Sequence, residues 1–223
     1  MRAIDFHFKG WQAPQIHLRD AKLAQFLAQH LQLELIEADL QLDASNLEVD
    51  GAGTAILTES KLFYAGRNTQ LTKRQIENRL HRLAGIKKCI WLPGDPQGEL
   101  AQRGTDYYAR FAQAATVLVS DEPNPDFREH AITRQHQAIL QAASDAQGRR
   151  LKLVSVSKPP SVRSEFITPQ FAASYLGFYV CNAAVLLAEF GDPRTDNAAR
   201  RALSQAFPER KIELLNVDAL AAT

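Results

Sequence analysis

A recurring order of predicted secondary structure constrains the fold of this chain more than any single motif does. Two strand-like segments, a helix and a further strand follow one another three times, beginning near Thr54, Asp106 and Ser174. An incomplete unit of strand, helix and strand precedes them. A unit of this size leaves a sheet face and edge exposed, so the units are expected to stack on one another. Because paired strands precede each helix, a doubly wound parallel sheet fits the pattern poorly.

Hydrophobic periodicity and turn residues give the bounds of these segments. Strands are predicted at residues 3–8, 33–36, 40–49, 54–57, 61–64, 87–92, 106–111, 116–119, 151–156, 174–181, 183–187 and 212–215. Helices are predicted at residues 20–32, 127–143 and 196–206. A further helix opens with a capping box formed by Thr72 and Gln75 and ends at Gly85.

The segment DGAGT at residues 50–54 joins two of the predicted strands. The Asp50 side chain can hydrogen-bond to nearby backbone, and Gly51 and Gly53 tolerate a positive φ. These properties predict a tight reversal between antiparallel strands. Taken alone, the segment indicates a hairpin and nothing more.

Composition argues against several kinds of partner. The 223 residues carry 26 basic and 25 acidic side chains, mixed along the sequence, so no nucleic acid is predicted to bind. The first twenty residues contain no apolar segment typical of a secretory signal. The longest apolar run, at residues 176–188, is too short to span a bilayer. We therefore expect no membrane partner and a cytoplasmic location.

The two cysteines and six histidines do not suggest a metal or cofactor site. Cys89 and Cys181 lie in apolar segments, and neither has a second cysteine or a histidine at metal spacing, so both are interpreted as core thiols. His130 and His136 are separated by six residues on a predicted helix, which does not place them on one face. We predict no metal and no cofactor.

Several motifs recur in a specific order along the chain. They are FKGW at 8–11, LDASN at 42–46, DGAGT at 50–54, RN at 67–68, LTKRQIE at 71–77, WLPG at 91–94, GTDYYARF at 104–111, ASYLGFYV at 173–180, FGD at 190–192 and FPER at 207–210. In this order and spacing the chain resembles the agmatine deiminase family and its bacterial peptidylarginine deiminase relatives. The resemblance covers nearly the whole chain.

The resemblance implies an α/β fold of the pentein type, a propeller of five strand-strand-helix-strand modules with the active site at its centre. About four modules are counted here, in a single domain over residues 1–223. The family also extends past both ends of this chain. We therefore expect the propeller to be incomplete at both ends.

The resemblance also implies a site for a guanidino group. Asp43 stands where the family has a glutamate, and Asp106 matches a family aspartate, so both are predicted catalytic residues. Asp106 and Asn46 are predicted to bind the substrate. Paired carboxylates suit the donors of a guanidinium, whereas its hydrolysis also needs a nucleophile and a proton shuttle. Gly104 occupies the position of the family histidine, and Cys181 is a poor substitute for the nucleophilic cysteine.

Three functions remain open from the sequence. The first is hydrolysis of a guanidino compound, such as agmatine to N-carbamoylputrescine and ammonia. The second is non-catalytic, weak binding of agmatine or an arginine-like compound, or of a partner protein. The third is a structural subunit that completes its propeller by association, as a homo-oligomer or with a partner chain. The residues at positions 43 and 104 favour the non-catalytic functions.

Overall fold

The computed structural model describes residues 2–10, 16–96, 99–166 and 171–221, and its strands form small separate sheets. An N-terminal half module comprises β1 (Arg2–Asp5), α1 (Leu23–His30) and β2 (Glu34–Glu37). Its two strands are parallel, with Ile4 opposite Ile36. This is the strand, helix and strand unit that the sequence predicts at the N-terminus.

Three further sheets have three strands each and share one topology. The first module contains β3 (Glu48–Val49), β4 (Thr54–Thr58), α2 (Glu59–Phe63), α3 (Lys73–Ala84) and β5 (Lys88–Leu92). The second contains α4 (Thr105–Tyr108), β6 (Ala109–Gln113), β7 (Thr116–Asp121), α5 (Arg128–Ala142) and β8 (Lys152–Ser157). The third contains β9 (Tyr179–Val180), β10 (Ala184–Ala188), α6 (Pro193–Ala206) and β11 (Lys211–Leu215), and α7 (Asp218–Ala221) follows it.

In each module the middle strand pairs antiparallel with the strand before it and parallel with the strand after its helix. A parallel partner requires a crossover, which the helix provides, whereas an antiparallel partner needs only a short turn. The predicted order of strand, strand, helix and strand is therefore seen three times. No continuous parallel sheet joins the modules within the described ranges.

The turn at Asp50 forms as its residues predict. Its Oδ1 accepts hydrogen bonds from the backbone N–H groups of Ala52 and Thr54, at 2.7 and 2.8 Å. Gly51 and Gly53 adopt φ values of 71° and 101°. The Asp50 side chain thus stabilises the β3–β4 hairpin.

Two predicted strands of the first module are wrong in part. Extended chain at residues 61–64 is replaced by α2, which buries Lys61 and Leu62, and Asn68 donates a hydrogen bond to the Leu62 carbonyl at 3.0 Å. The predicted strand at 40–49 is reduced to Glu48–Val49, because residues 44–46 form a 3₁₀ turn. The first module accordingly begins at Glu48 and not near Thr54.

Two later strands are also shorter than predicted. Asp106 lies on α4, and the strand starts at Ala109. Tyr107 and Tyr108 are both buried, which successive residues of a half-exposed strand could not be, since their side chains point to opposite faces. Of residues 174–181 only Tyr179–Val180 is a strand, since the Ser174 hydroxyl accepts a hydrogen bond from the N–H of Leu176 and holds a turn.

The hydrophobic core is divided into clusters that cross the module boundaries. The cluster of the second module includes Ile56 and Leu92 from the first. The cluster of the third includes Leu118 and Val156 from the second. The modules therefore stack on one another, as expected for units that cannot close a core alone. This stacking brings the loops of several modules together at one place.

Candidate functional site

Two cavities meet where the half module and the first and second modules come together. The larger, of about 850 Å³, is lined by β1, α1 and residues 42–45. The smaller, of about 220 Å³, is lined by Ser45, by residues of α2 and α4, by the segment before α4 and by residues 172–177 before β9. Ser45 and Asp106 line both cavities. The segment containing Asp43 and the segment containing Asp106 are therefore neighbours, as the predicted site requires.

Asp106 occupies the junction of the two cavities and is half-buried. Burial raises the pKa of its carboxyl to about 6, and the positive charges of Arg110 and Lys61 oppose that rise. Asp43 and Glu48 add to it. Among the described residues, no lysine, arginine or histidine nitrogen lies within 4.0 Å of the Asp106 carboxylate. This carboxylate can therefore accept hydrogen bonds from a bound cation.

Asp43 lies at the start of the 3₁₀ turn Ala44–Asn46 and is already paired within the chain. Its Oδ1 accepts hydrogen bonds from the backbone N–H and the hydroxyl of Ser45. Its Oδ2 lies 3.4 Å from Lys61 Nζ and 3.6 Å from Arg67 Nη1. A ligand would have to share this carboxylate with two cations of the protein.

Asn46 is fully buried, and its side chain joins the end of β4 to the start of α4. Its Oδ1 accepts hydrogen bonds from the N–H of Thr58 at 3.0 Å and the hydroxyl of Thr105 at 3.1 Å. Its Nδ2 donates to the Thr58 carbonyl at 3.0 Å. These contacts position α4 and hence Asp106. A direct contact between Asn46 and a ligand stays a prediction.

Glu48 and Arg110 form a partly buried ion pair beside the site, which the sequence did not predict. Arg110 Nε lies 3.0 Å from Glu48 Oε2, and Arg110 Nη1 donates to the carbonyls of Leu176 and Phe178. Burial raises the pKa of Glu48, and Arg110 opposes that rise. The pair ties together all three complete modules. An arginine inside the apolar strand at residues 109–113 was the available signal.

Gly104 leaves no room for a side chain. A Cβ built at this position would lie 2.3 Å from the backbone carbonyl oxygen of Ser45 and 2.6 Å from its hydroxyl. The φ of Gly104 is −78°, which any residue can adopt, so space and not backbone conformation excludes larger residues. A glycine at position 104, where the motif resemblance predicts a histidine, thus matches the close approach of Ser45.

Neither cysteine of the chain reaches the site. Burial raises the pKa of the Cys89 thiol to about 12, and the Cys181 thiol donates a hydrogen bond to the Ala184 carbonyl at 3.1 Å. Among the described residues, no cysteine or histidine lines either cavity. The arrangement can hold a cation at Asp106 but brings no thiol to it.

Two kinds of feature are absent from the parts of the chain that the structure describes. No three histidine, cysteine, aspartate or glutamate side chains converge as metal ligands would. None of the helices in residues 2–10, 16–96, 99–166 and 171–221 has the length and apolar character needed to cross a membrane.

Known proteins similar to this chain include agmatine deiminases. A relative from Streptomyces avermitilis, assigned as an agmatine deiminase, is 32% identical over 225 residues, which cover 97% of this chain and 64% of that relative. The agmatine deiminase of Medicago truncatula is 29% identical over 191 residues, covering 77% of this chain and 50% of the relative. Among solved structures, the agmatine deiminase of Enterococcus faecalis superposes with a TM-score of 0.88 at 25% identity, over 99% of this chain and 66% of that one.

The chain thus spans less than two thirds of the length of each of these relatives. The match in sequence and fold confirms the resemblance indicated by the ordered motifs. The family described as Porphyromonas-type peptidyl-arginine deiminase matches residues 1–223. The chain belongs to this family, and its mixed α/β fold is that of the agmatine deiminases.

Proposed function

We propose that this chain is a guanidino-binding member of the deiminase family that does not hydrolyse its ligand. The observation that carries the proposal is the Asp106 carboxylate at the junction of two cavities, with no cation of the described chain within 4.0 Å. A planar guanidinium binds best to such acceptors. Hydrolysis itself would need further groups, which this chain does not bring to the site.

The proposal predicts no turnover. Attack on the guanidinium carbon requires a thiolate or similar nucleophile and a proton shuttle. Position 104 has no space for a histidine, and the two thiols lie outside the cavities. The 223-residue chain is therefore expected to release no ammonia from agmatine, and no citrulline product from arginine or a peptidylarginine. Removing the nucleophile of an enzyme typically lowers turnover on the order of 10⁶-fold.

Ammonia release and citrulline colorimetry measure this directly, with the agmatine deiminase of Enterococcus faecalis as the positive control. Turnover above buffer would contradict the proposal. If that turnover disappeared in Cys181→Ser, the thiol of β9–β10 would be the nucleophile, and the core assignment of Cys181 would also be wrong.

Binding is expected to be weak. A guanidinium held mainly by Asp106 makes one or two charge-assisted hydrogen bonds, each worth about 1.5 to 3 kcal/mol. Immobilising a small ligand costs several kcal/mol, so the dissociation constant is expected to be about 1 mM at best. Asp106→Ala is expected to abolish the binding, and an unchanged affinity in that variant would remove Asp106 from the site.

A second candidate function is that of a structural subunit that associates with a copy of itself. The α1 helix exposes Leu23, Phe26, Leu27 and Leu31, each more than 40% accessible. In addition, β1 has a parallel partner but no antiparallel one among the described strands, unlike the middle strand of each complete module. Apolar faces of this kind mark interaction sites.

Self-association through α1 predicts a dimer or larger species at micromolar concentration in light scattering. Replacing Phe26 and Leu31 together by glutamate is expected to shift the mass to that of the monomer, because it places charges on the contact face. Phe127→Glu is the control, since Phe127 is 56% exposed but lies at the start of α5. A wild-type chain that stays monomeric would exclude this function.

The propeller arrangement of the modules and their number are proposed as well. We propose a single domain, residues 1–223, arranged as a pentein-type propeller with about four of its five modules present. Core clusters that draw residues from the preceding module support the consecutive stacking of modules that such a propeller requires. A cytoplasmic location is likewise proposed, and the free thiols of Cys89 and Cys181 suit a reducing compartment.

A further inference from the structure

The residue on α2 that faces the smaller cavity is a lysine. Lys61 is only 3% exposed, and its side chain lines the cavity together with Ser45, Gly104 and Asp106. Lysine is rarely buried to this extent unless it is paired. Its Nζ lies 3.4 Å from Asp43 Oδ2. A cation of the protein therefore already pairs with Asp43, one of the two predicted catalytic carboxylates.

Lys61 acts on both carboxylates that the sequence predicts to be catalytic, those of Asp43 and Asp106. Burial lowers the pKa of its ammonium group, the Asp43 and Asp106 carboxylates oppose that effect, and the positive charge of Arg67 adds to it. The charge of Lys61 in turn opposes the rise in the pKa of Asp106. A second cation entering the cavity is attracted by Asp106 but repelled by Lys61.

The charges that line the smaller cavity differ from those expected for a purely cationic ligand. Among the residues that the structure describes, its ionisable side chains apart from tyrosine are Lys61, Arg103 and Asp106. Two of these are basic and one is acidic. A cavity with this balance complements a ligand that carries an anionic group as well as a cationic one.

We propose that Lys61 determines the specificity of this cavity: its ammonium group engages Asp43 in place of a ligand guanidinium and favours ligands that carry a carboxylate. The cationic end of such a ligand binds Asp106, and its carboxylate lies near Lys61. The inference rests on the proposed guanidino-binding function and goes beyond it by naming the residue that selects the ligand and the chemical group that is selected.

Agmatine and L-arginine form a matched pair of probes. They share the guanidino group and the carbon chain, and differ in that arginine carries a carboxylate where agmatine has none. Both are titrated into the wild-type chain, and affinity is measured by NMR chemical-shift changes, which detect millimolar binding. Arginine is expected to bind about tenfold more tightly than agmatine, a difference of about 1.4 kcal/mol.

Lys61→Met removes the charge and keeps an unbranched side chain. It is expected to raise the affinity for agmatine about tenfold and to lower that for arginine by a similar factor, so that the preference reverses. Lys211→Met is the matched control, because the Lys211 side chain is 76% exposed on β11 and lines neither cavity. It is expected to leave both affinities unchanged.

The outcomes separate this inference from the proposed function. Agmatine binding as tight as arginine binding in the wild-type chain would overturn the role of Lys61 while leaving the guanidino site in place. No binding of either compound to the wild-type chain or to Lys61→Met would overturn both. If Lys61→Met does not fold, Lys61→Gln takes its place in both titrations, and equal binding of the two compounds to the wild-type chain still overturns the role of Lys61.

Discussion

Replacing Gly104 by alanine is expected to lower the free energy of unfolding by about 3 kcal/mol, the upper end of the usual cost of overpacking. The added Cβ would lie 2.3 Å from the Ser45 carbonyl oxygen, which is a backbone atom and cannot swing away as a side chain could. Either Ser45 or α4 would have to move. Movement of either would disturb the site, since Ser45 contacts Asp43 and α4 contains Asp106.

Urea unfolding of Gly104→Ala beside Gly177→Ala measures this cost. Gly177 also lines the smaller cavity, but its Cβ would meet nothing closer than the Ser174 carbonyl at 3.7 Å, an ordinary contact. The control is therefore expected to differ from the wild-type chain by less than about 1 kcal/mol. Equal stability of the two variants would show that the approach of Ser45 to Gly104 does not constrain the fold.

The contact between Ser45 and Gly104 also determines what is expected of Gly104→His, which introduces the histidine that the motif resemblance predicts at this position. Gly104→His is expected to destabilise the chain at least as much as Gly104→Ala, and to give no turnover. The larger ring begins with the same Cβ and must displace the same backbone carbonyl. A stable Gly104→His variant that releases ammonia would mean that the scaffold tolerates the histidine and that only this group was missing.

The sequence predicted the fold where the signals were local. The capping box of Thr72 and Gln75 and the left-handed Gly85 formed as expected, and so did the turn at Asp50. The predictions failed where tertiary contacts override local preference. The aromatic pair Tyr107 and Tyr108 suits a strand, yet packing against neighbouring modules turns this segment into α4.

The candidate site was predicted in part for a related reason. The motifs predicted Asp43 and Asp106 as site residues, and the segments that contain them meet at the cavities. The partners of those carboxylates could not be predicted, because Lys61 lies 18 positions from Asp43 and reaches it only through the burial of α2. The Glu48–Arg110 pair likewise joins residues 62 positions apart. Such pairings follow from the stacking of modules, which no local pattern specifies.

Two groups whose pKa values are shifted by desolvation are expected to give the stability of this chain opposing dependences on pH. Burial raises the pKa of Asp106 to about 6 and lowers that of His136 to about 4. The His136 ring is held neutral in the core, with Nε2 accepting the N–H of Gly94 at 3.0 Å and the Tyr108 ring 4.6 Å away.

The sign of each contribution follows from which state holds the proton. Between about pH 4 and 6 the folded chain keeps the Asp106 proton that the unfolded chain has released, so this contribution to stability falls as pH rises. Between about pH 4 and 6.5 the unfolded chain protonates His136 while the folded chain does not, so that contribution rises with pH. Each amounts to at most about 3 kcal/mol, and in the wild-type chain they largely cancel.

Asp106→Asn is expected to remove one side of this balance. Above pH 6 the variant should be more stable than the wild-type chain by about 2 to 3 kcal/mol, because it no longer buries an ionised carboxylate. Near pH 4, where Asp106 is protonated, the two should be equally stable. The stability of the variant should therefore fall more steeply on acidification, as the His136 contribution is no longer offset.

Urea unfolding from pH 4 to pH 8 measures both curves, and Asp126→Asn, at an exposed carboxylate, serves as the control. Parallel curves for the wild-type chain and Asp106→Asn would mean that Asp106 titrates as it does in the unfolded chain, and that it is not held in a desolvated site.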